Sequence, residues 1–125
     1  MKFLHSMIRV SNIKKSLEFY QGLLGLKTIR TMDLDDCRLH YLSDGSSDFE
    51  LELTENFENP DSGYETGTQF GHFAFEVPSM DDFSKKMKEF GLEYLYEPFE
   101  IKPGLKIAFF NDPDGLEIEV IEASK

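Results

Sequence analysis

The chain contains few of the residues that form disulfides, bind nucleic acids or cross membranes. Its single cysteine, Cys37, excludes an intramolecular disulfide and favours a reducing compartment. It has 13 lysines and arginines against 24 aspartates and glutamates, and the net charge of −11 argues against nucleic acids and anionic membrane surfaces as partners. No apolar run approaches the roughly 18 residues of a membrane span, and the N-terminal residues lack the long apolar stretch of a secretion signal. We therefore expect an acidic, soluble protein of the cytoplasm.

What the chain does contain is typical of a globular fold. Hydrophobic residues occupy 40% of the 125 positions, and the sequence includes 12 phenylalanines. A chain of this length is large enough for a real core and too short for two independent ones. We therefore predict one domain over residues 1–125.

A spacing between histidine and glutamate occurs twice. Glu52 follows His5 by 47 positions, and Glu119 follows His72 by the same 47 positions. The surroundings repeat as well, because residues 50–55 match residues 117–122 at the shared offset of 67, with three acids coinciding. Chance pairs would not share both a spacing and a context. The simplest account is an internal duplication in which each half supplies one imidazole and one carboxylate.

The hydrophobic periodicity predicts the same order of elements in both halves. In module 1, about residues 1–56, we predict a strand over 3–10, a helix capped by Asn12 or Ser11 and ended by Gly25, and strands near 27–33, 37–43 and 48–55. In module 2, about 71–125, we predict a strand from His72, a helix from the Ser79 cap to Gly91, and strands near 93–97, 105–111 and 116–122. The predicted helical stripes are Ile13, Leu17, Tyr20 and Leu24, then Met80, Phe83, Met87 and Phe90. A linker of about 57–70 joins the modules. The fold class is α+β, with two tandem βαβββ modules.

One face of each predicted sheet is unusually polar. A single helix per module covers only one face, for which the aliphatic and phenylalanine positions suffice. The other face carries His5 and Glu52 in module 1, and His72 and Glu119 in module 2. Carboxylates that line a cleft need a cation, and two neutral imidazoles with two carboxylates balance one divalent ion. We therefore predict that the mixed sheets curve around a metal cleft with these four residues as ligands.

The motifs around these residues resemble those of glyoxalase I, within the vicinal oxygen chelate superfamily. The matching stretches run along almost the whole chain: 4–10, 16–20, 24–26, 51–56, 64–72 and 112–119. The last stretch recurs across the superfamily, whereas 4–10, 51–56 and 64–72 together are much more specific to glyoxalase I. One departure is Leu116, which stands where relatives often have an aromatic residue.

The resemblance implies a glyoxalase/bleomycin resistance/dioxygenase-like fold and a lactoylglutathione lyase. Such enzymes isomerise the hemithioacetal of methylglyoxal and glutathione to S-D-lactoylglutathione through an enediolate, and so detoxify methylglyoxal. His5, Glu52, His72 and Glu119 fall on the positions of the family's metal ligands. The resemblance favours Ni(II) or Co(II) as the metal, with Zn(II) as an alternative. The family is typically a homodimer with its site between subunits. The family pattern selects Glu119 as the catalytic base, with Glu52 as its near-symmetric competitor.

Four further residues are candidates for substrate binding. Arg9 lies four residues beyond His5 on the same strand face, roughly 13 Å along it, which suits a terminal carboxylate of a tripeptide conjugate. Asn56 matches, with Arg9, the positions that hold a glutathione carboxylate in relatives. Lys102 and Lys106 flank Pro103-Gly104 in what we predict to be a mobile loop over the cleft.

Two other functions remain open from the sequence. One is another metalloenzyme on the same scaffold, such as a methylmalonyl-CoA epimerase-like enzyme or a dioxygenase, although dioxygenases of this superfamily use three protein ligands. The other is a non-catalytic member that binds a small molecule. The sequence also leaves open the physiological thiol, the metal, the catalytic carboxylate, and whether the modules pair within a chain or across a dimer.

Overall fold

A computed structural model describes residues 1–123 as two compact units. The first unit is Met1–Glu65 and the second begins at Thr66, so the boundary falls inside the predicted linker. In the first unit the elements are β1 (His5–Arg9), α1 (Ile13–Leu17) running into a π-helical turn (Glu18–Leu23), β2 (Lys27–Asp33), β3 (Cys37–Ser43) and β4 (Glu50–Asn56). In the second they are β5 (His72–Glu76), α2 (Met80–Glu89), β6 (Tyr96–Lys102), β7 (Leu105–Asn111) and β8 (Glu117–Ala123).

Both units contain a mixed sheet of four strands with the same topology. The strand orders are β1-β4-β3-β2 and β5-β8-β7-β6. In each, the first strand lies parallel to the last, and the remaining pairs are antiparallel hairpin neighbours. In each unit the helix connects the first strand to the second, and these two strands run in the same direction at opposite edges of the sheet. The predicted α+β fold of two βαβββ modules is confirmed.

The helices begin and end where the sequence signals predict. The side chain of Asn12 accepts a hydrogen bond from the Lys15 amide at 3.1 Å, and that of Ser79 accepts one from the Asp82 amide at 3.1 Å. Gly25 and Gly91 follow the helical segments with φ of 75° and 70°, a left-handed conformation that glycine adopts without a Cβ clash. Local capping chemistry therefore sets these boundaries.

The buried stripe of the first helix differs from the prediction. Phe19 and Leu23 are buried, as is Tyr20, whereas the predicted Ile13, Leu17 and Leu24 are only partly covered. The reason is the π-helical turn, in which the amide of Leu24 bonds to the carbonyl of Phe19 at 3.1 Å. This i→i+5 pattern advances the chain differently from an α-helix, so the 3.6-residue period no longer selects the buried positions.

The stripe of α2 follows the prediction more closely. Met80, Phe83 and Met87 are buried as predicted, and Phe83 packs against Phe110 of β7 with ring centroids 5.6 Å apart. Phe90 lies beyond the last helical residue and is 41% exposed, so its inclusion in the stripe was wrong. The helix thus covers the sheet face that carries Phe110, and no helix among the described residues of this unit lies on the opposite face.

Strand β6 lies later in the chain than predicted. The sequence placed a strand near 93–97, and the structure has it at Tyr96–Lys102, with Pro98 inside it. Proline cannot donate to a ladder, but β6 is the edge strand of its sheet, where an unpaired position is tolerated. Its pairing with β7 is also irregular at two points.

The segment that contains Pro103 and Gly104 forms a tight turn. These two residues join β6 directly to β7, and Gly104 has a φ of 84°. The prediction of a mobile loop here was wrong, because Lys102 ends one strand of a hairpin and Lys106 lies inside the next.

Candidate metal centre

The register of β1 and β4 brings the predicted residues of the first unit onto one sheet face. Met7 is paired with Glu52 and Arg9 with Thr54, and residues paired in a ladder point to the same side. His5, two residues before Met7, lies on that side as well. We call this surface the His5 face; it also carries Tyr41, which is the partner of Glu52 on β3.

Tyr41 contacts both predicted ligands of this unit. The pKa of the Tyr41 phenol is raised, first by hydrogen bonding towards the Glu52 carboxylate and then by burial and the negative charge of Glu52. The imidazole of His5 packs edge-on against the Tyr41 ring, with centroids 5.8 Å apart and planes at 81°. Glu52 is only 7% exposed, so its carboxylate has little contact with solvent.

Arg30 of β2 covers the outer side of the Tyr41 ring. Its guanidinium carbon lies 4.0 Å from the ring centroid, in a cation–π arrangement. The same guanidinium forms an ion pair with Glu50, with Nη1 and Oε1 2.7 Å apart. Glu50 is therefore balanced by a cation of its own unit.

The second unit places its predicted pair in direct contact. Nε2 of His72 lies 3.3 Å from Oε1 of Glu119, and the Glu119 side chain is 14% exposed. The His72 ring packs edge-on against Phe109, with centroids 5.3 Å apart and planes at 81°. Phe109 is the partner of Glu119 on β7, and Tyr96 of β6 packs against its other side at 5.8 Å. We call this surface the His72 face.

The chemistry of these donors fits a divalent transition metal. Each unit presents one imidazole and one carboxylate on a sheet face, and both residue types are common ligands of such ions. The nearly buried Glu52 carboxylate is also the kind of group that a cation stabilises. Within residues 1–123, no three or more histidines, cysteines, aspartates or glutamates converge as a metal-binding group. Joint ligation by His5, Glu52, His72 and Glu119 therefore stays a prediction.

Two of the candidate substrate residues also lie on the His5 face. Arg9 is exposed there, and Asn56 follows Thr54 by two positions on β4. The Asn56 amide donates to the Tyr64 hydroxyl at 3.0 Å, and that hydroxyl donates to the Oδ1 of Asn59 at 2.6 Å. This bond fixes the orientation of the Asn56 amide, and therefore also the direction of its Oδ1 atom.

The two candidate lysines lie on opposite sides of the second sheet. Lys102 is paired with Leu105, which alternates onto the side of β7 that carries Phe109, so Lys102 belongs to the His72 face. Lys106 is paired with Glu122 and lines a small cavity with Met80 and Asp81 of α2. The structure therefore places Lys106 on the helix-covered side, away from Glu119.

Sequence reasoning missed Tyr41 and Arg30, and it placed Thr54 on the polar face without assigning it a role. The Thr54 hydroxyl is buried on the His5 face and has no hydrogen-bond partner among the described residues. Tyr41 and Arg30 come together only through the registers of β2, β3 and β4. The sequence signal for Tyr41 was the alternation of side chains along β3. This alternation does not show which residue of β4 lies opposite Tyr41.

The chain is similar in sequence and in fold to known proteins. The sequence model of the Glyoxalase/Bleomycin resistance protein/Dioxygenase superfamily matches residues 2–120. A lactoylglutathione lyase of Neisseria meningitidis serogroup A is 38% identical over 98% of this chain and 91% of its own length. The trypanothione-dependent glyoxalase I of Leishmania major is 31% identical with a TM-score of 0.80, covering 98% of this chain and 86% of that one. The glyoxalase I of Zea mays is 30% identical with a TM-score of 0.84, and this chain spans 44% of its length.

The repeated βαβββ units and the extent of these matches define the class. The chain belongs to the Glyoxalase/Bleomycin resistance protein/Dioxygenase superfamily. Within that superfamily it groups with the lactoylglutathione lyases, also called glyoxalase I. The resemblance inferred from the sequence motifs is confirmed.

Proposed function

We propose that this chain catalyses the isomerisation of the methylglyoxal–glutathione hemithioacetal to S-D-lactoylglutathione. The observation that carries this proposal is the presence, in each unit, of an imidazole and a glutamate carboxylate on the sheet face that the helix leaves uncovered. The relatives named lactoylglutathione lyase support the same activity. The reaction moves a proton between adjacent carbons through an enediolate, and so converts a reactive aldehyde into a thioester.

A divalent ion is part of the proposal. His5, Glu52, His72 and Glu119 would hold it. When bound, the ion stabilises negative charge that develops on the reacting oxygens. We propose Ni(II) or Co(II) as the working metal, with Zn(II) as the alternative.

Glu119 is the proposed base. Its carboxylate lies beside His72 and is partly open to solvent, so it can approach a carbon-bound proton next to the metal. It would take the proton from one carbon and deliver it to the neighbouring carbon. A positioned base of this kind accelerates a reaction by roughly 10²–10⁴-fold. Glu52 stands in the equivalent place of the first unit and is its competitor for this role.

The substrate would be oriented by polar groups at some distance from the reacting carbons. Arg9 offers a planar donor pair for a carboxylate, and Asn56 offers an amide that is already oriented by Tyr64. The Thr54 hydroxyl on the same face is buried and lacks a hydrogen-bond partner in the described chain. Lys102 is the candidate cation on the His72 face. Lys106 is left out of this proposed site because it lies on the helix-covered side of its sheet.

The proposed assembly is a homodimer with its sites between subunits. His5 and Glu52 of one subunit would meet the partner's equivalents of the second pair, so that each site receives two imidazoles and two carboxylates. We also propose a cytoplasmic location, where glutathione is abundant and Cys37 stays reduced. Among the described residues, no helix is both long and apolar enough to cross a membrane.

The test uses metal-free protein and three substrates. Purified protein is stripped with a chelator, reloaded with Ni(II), Co(II) or Zn(II), and assayed for thioester formation from methylglyoxal with glutathione. Formation of lactoyl thioester that requires the metal supports the proposal. A CoA ester and methylglyoxal with trypanothione are the comparison substrates. Turnover of the CoA ester alone would favour an epimerase, and the absence of thioester formation with every metal and thiol would reject the proposal.

A further inference from the structure

Three side-chain hydrogen bonds connect the loop after β4 to the backbone that follows β1. The Asn56 amide donates to the Tyr64 hydroxyl at 3.0 Å, and this hydroxyl donates to Oδ1 of Asn59 at 2.6 Å. Nδ2 of Asn59 donates in turn to the carbonyl oxygen of Ser11 at 3.0 Å. All four residues belong to the first unit. We call these three bonds the Asn59 network.

A turn between Pro60 and Gly63 brings Tyr64 back beside Asn59. The Gly63 amide donates to the Pro60 carbonyl at 3.0 Å, and Gly63 has a φ of 76°. Proline restricts its own φ, and glycine adopts the left-handed conformation without a Cβ clash, so this sequence favours the turn locally. The loop therefore reverses direction at a defined point, and this reversal allows the two side chains to meet.

The direction of all three bonds is fixed at the Ser11 end. A backbone carbonyl can only accept a hydrogen bond, so the atom of the Asn59 amide that faces it is the nitrogen. The oxygen of Asn59 then faces Tyr64, whose hydroxyl donates to it. A lone pair of that hydroxyl is left to accept a hydrogen from the Asn56 nitrogen. The network thus sets both the plane and the polarity of the Asn56 amide.

Asn56 lies where its orientation matters for a ligand. It follows Thr54 by two positions on β4, and Thr54 is the ladder partner of Arg9, so Asn56 and Arg9 share the His5 face at the same end of two parallel strands. Ser11, which anchors the network, follows Arg9 by two positions. The network therefore joins the ends of the two strands that carry the candidate substrate-binding residues.

We infer that Tyr64 and Asn59 are positioning residues, which fix the Asn56 amide in the orientation that the thiol part of the substrate requires. Asn59 is exposed and acts on substrate affinity through Tyr64 and Asn56. A side chain that is already oriented loses less conformational entropy when a ligand binds. This inference rests on the proposed function, since it assumes that Asn56 contacts the hemithioacetal.

Two substitutions interrupt the network at different points. Tyr64→Phe removes the hydroxyl and keeps the ring, and Asn59→Ala removes the anchoring amide at an exposed position. Each is also made in an Asn56→Ala background. The measurements are kcat and KM of the Ni(II)-loaded enzyme for the hemithioacetal, and the dissociation constant of S-methylglutathione, an unreactive thioether. Tyr94→Phe is the matched control, because that hydroxyl shares a hydrogen bond with Ser84 at 2.8 Å in the second unit.

The expected results separate positioning from a general structural role. In Tyr64→Phe and in Asn59→Ala we expect KM and the dissociation constant of S-methylglutathione to rise about 3–10-fold, as for the loss of one hydrogen bond. The values of kcat and Ni(II) content should match those of the wild type, because only binding is weakened. In the Asn56→Ala background the same substitutions should change KM by less than about twofold, since they act through Asn56.

Several outcomes overturn the inference while leaving the proposed function intact. One is an unchanged KM in a folded Tyr64→Phe variant, and Asn59→Ala decides in the same way if Tyr64→Phe does not fold. Others are equal increases in KM with and without the Asn56 side chain, a loss of kcat or Ni(II) content, and an equal rise of KM in Tyr94→Phe. Wild-type protein that forms no thioester with any metal would instead reject the proposed function, and the inference with it.

Discussion

Replacing Glu119 by glutamine should test whether Glu119 acts as a base. Comparison with a neighbouring glutamate should show how much of the effect comes from the loss of negative charge alone. The Glu119 side chain is 14% exposed, with Oε1 3.3 Å from Nε2 of His72. Glutamine has the same length and retains one acceptor oxygen, so Glu119→Gln can occupy this position without a cavity or a clash. What the variant loses is the ability to accept the transferred proton.

The size of the expected loss follows from that change. A positioned general base contributes roughly 10²–10⁴ in rate. At about 1.36 kcal/mol for each factor of ten, this raises the activation free energy by about 3–5 kcal/mol. The free energy of unfolding of the metal-free protein should change little, because packing around the side chain is preserved.

Glu117→Gln is the matched control. Glu117 precedes Glu119 by two positions on β8, on the same face, and is the ladder partner of His72. Removing its charge about 7 Å further along the strand tests the electrostatic part alone, and Coulomb's law in a high-dielectric surrounding limits that part to less than about tenfold in kcat.

The assay measures kcat at saturating Ni(II), with metal content determined in parallel, since Glu119 is also a proposed ligand. A fully metal-loaded Glu119→Gln variant with kcat within tenfold of the wild type would refute the assignment of the base. Equal losses in the two variants would show that charge, and not proton transfer, is what the position supplies.

Two further predictions concern stability. Ni(II) at about one hundred times its dissociation constant should raise the free energy of unfolding by about 2.7 kcal/mol per site, because the ion binds only the folded protein; His5→Asn should abolish this increase. His40→Gln is the control, since His40 pairs with Glu55 at 2.9 Å on the other face of the same sheet, and a Ni(II) response lost in both variants would contradict the proposed ligand set. Asp44→Asn should lower stability near neutral pH, because bonds from the Ser47 and Ser46 amides lower the pKa of the Asp44 carboxyl. A lowered folded-state pKa stabilises the protein above the ordinary carboxyl pKa of about 4, and this advantage is lost as the pH falls through the folded-state value. Chemical denaturation between about pH 7 and pH 2 measures both proteins, and a difference that does not shrink in acid would contradict the account.

Several features of the fold followed directly from local sequence signals. Asn12, Ser79, Gly25 and Gly91 mark the helix ends because capping and left-handed residues act within a few positions of the chain. The predicted buried positions of the first helix were wrong because part of that helix is not α-helical. The π-helical turn moved burial to Phe19, because its hydrogen bonds do not follow the α-helical period.

Part of the candidate site was equally predictable, and part was not. Alternation placed His5 and Arg9 on one face, since side chains of a strand point alternately to its two sides. The prediction for Lys106 came from an expected loop around Pro103 and Gly104, because β6 was predicted to end at about residue 97. In the structure β6 continues to Lys102, so these residues form a two-residue turn, and Lys106 follows the alternation of β7 onto the helix-covered face.

The duplicated spacing of His5, Glu52, His72 and Glu119 predicted which residues could bind a metal, and the motifs around them indicated the family. That information is linear, because duplication copies residue types and distances along the chain. Only the tertiary structure decided that Tyr41 lies opposite Glu52 and under Arg30, while Phe109 lies opposite Glu119. These neighbours are chosen by the pairing of strands distant in sequence, and the register of that pairing depends on turns, bulges and burial acting together across the sheet.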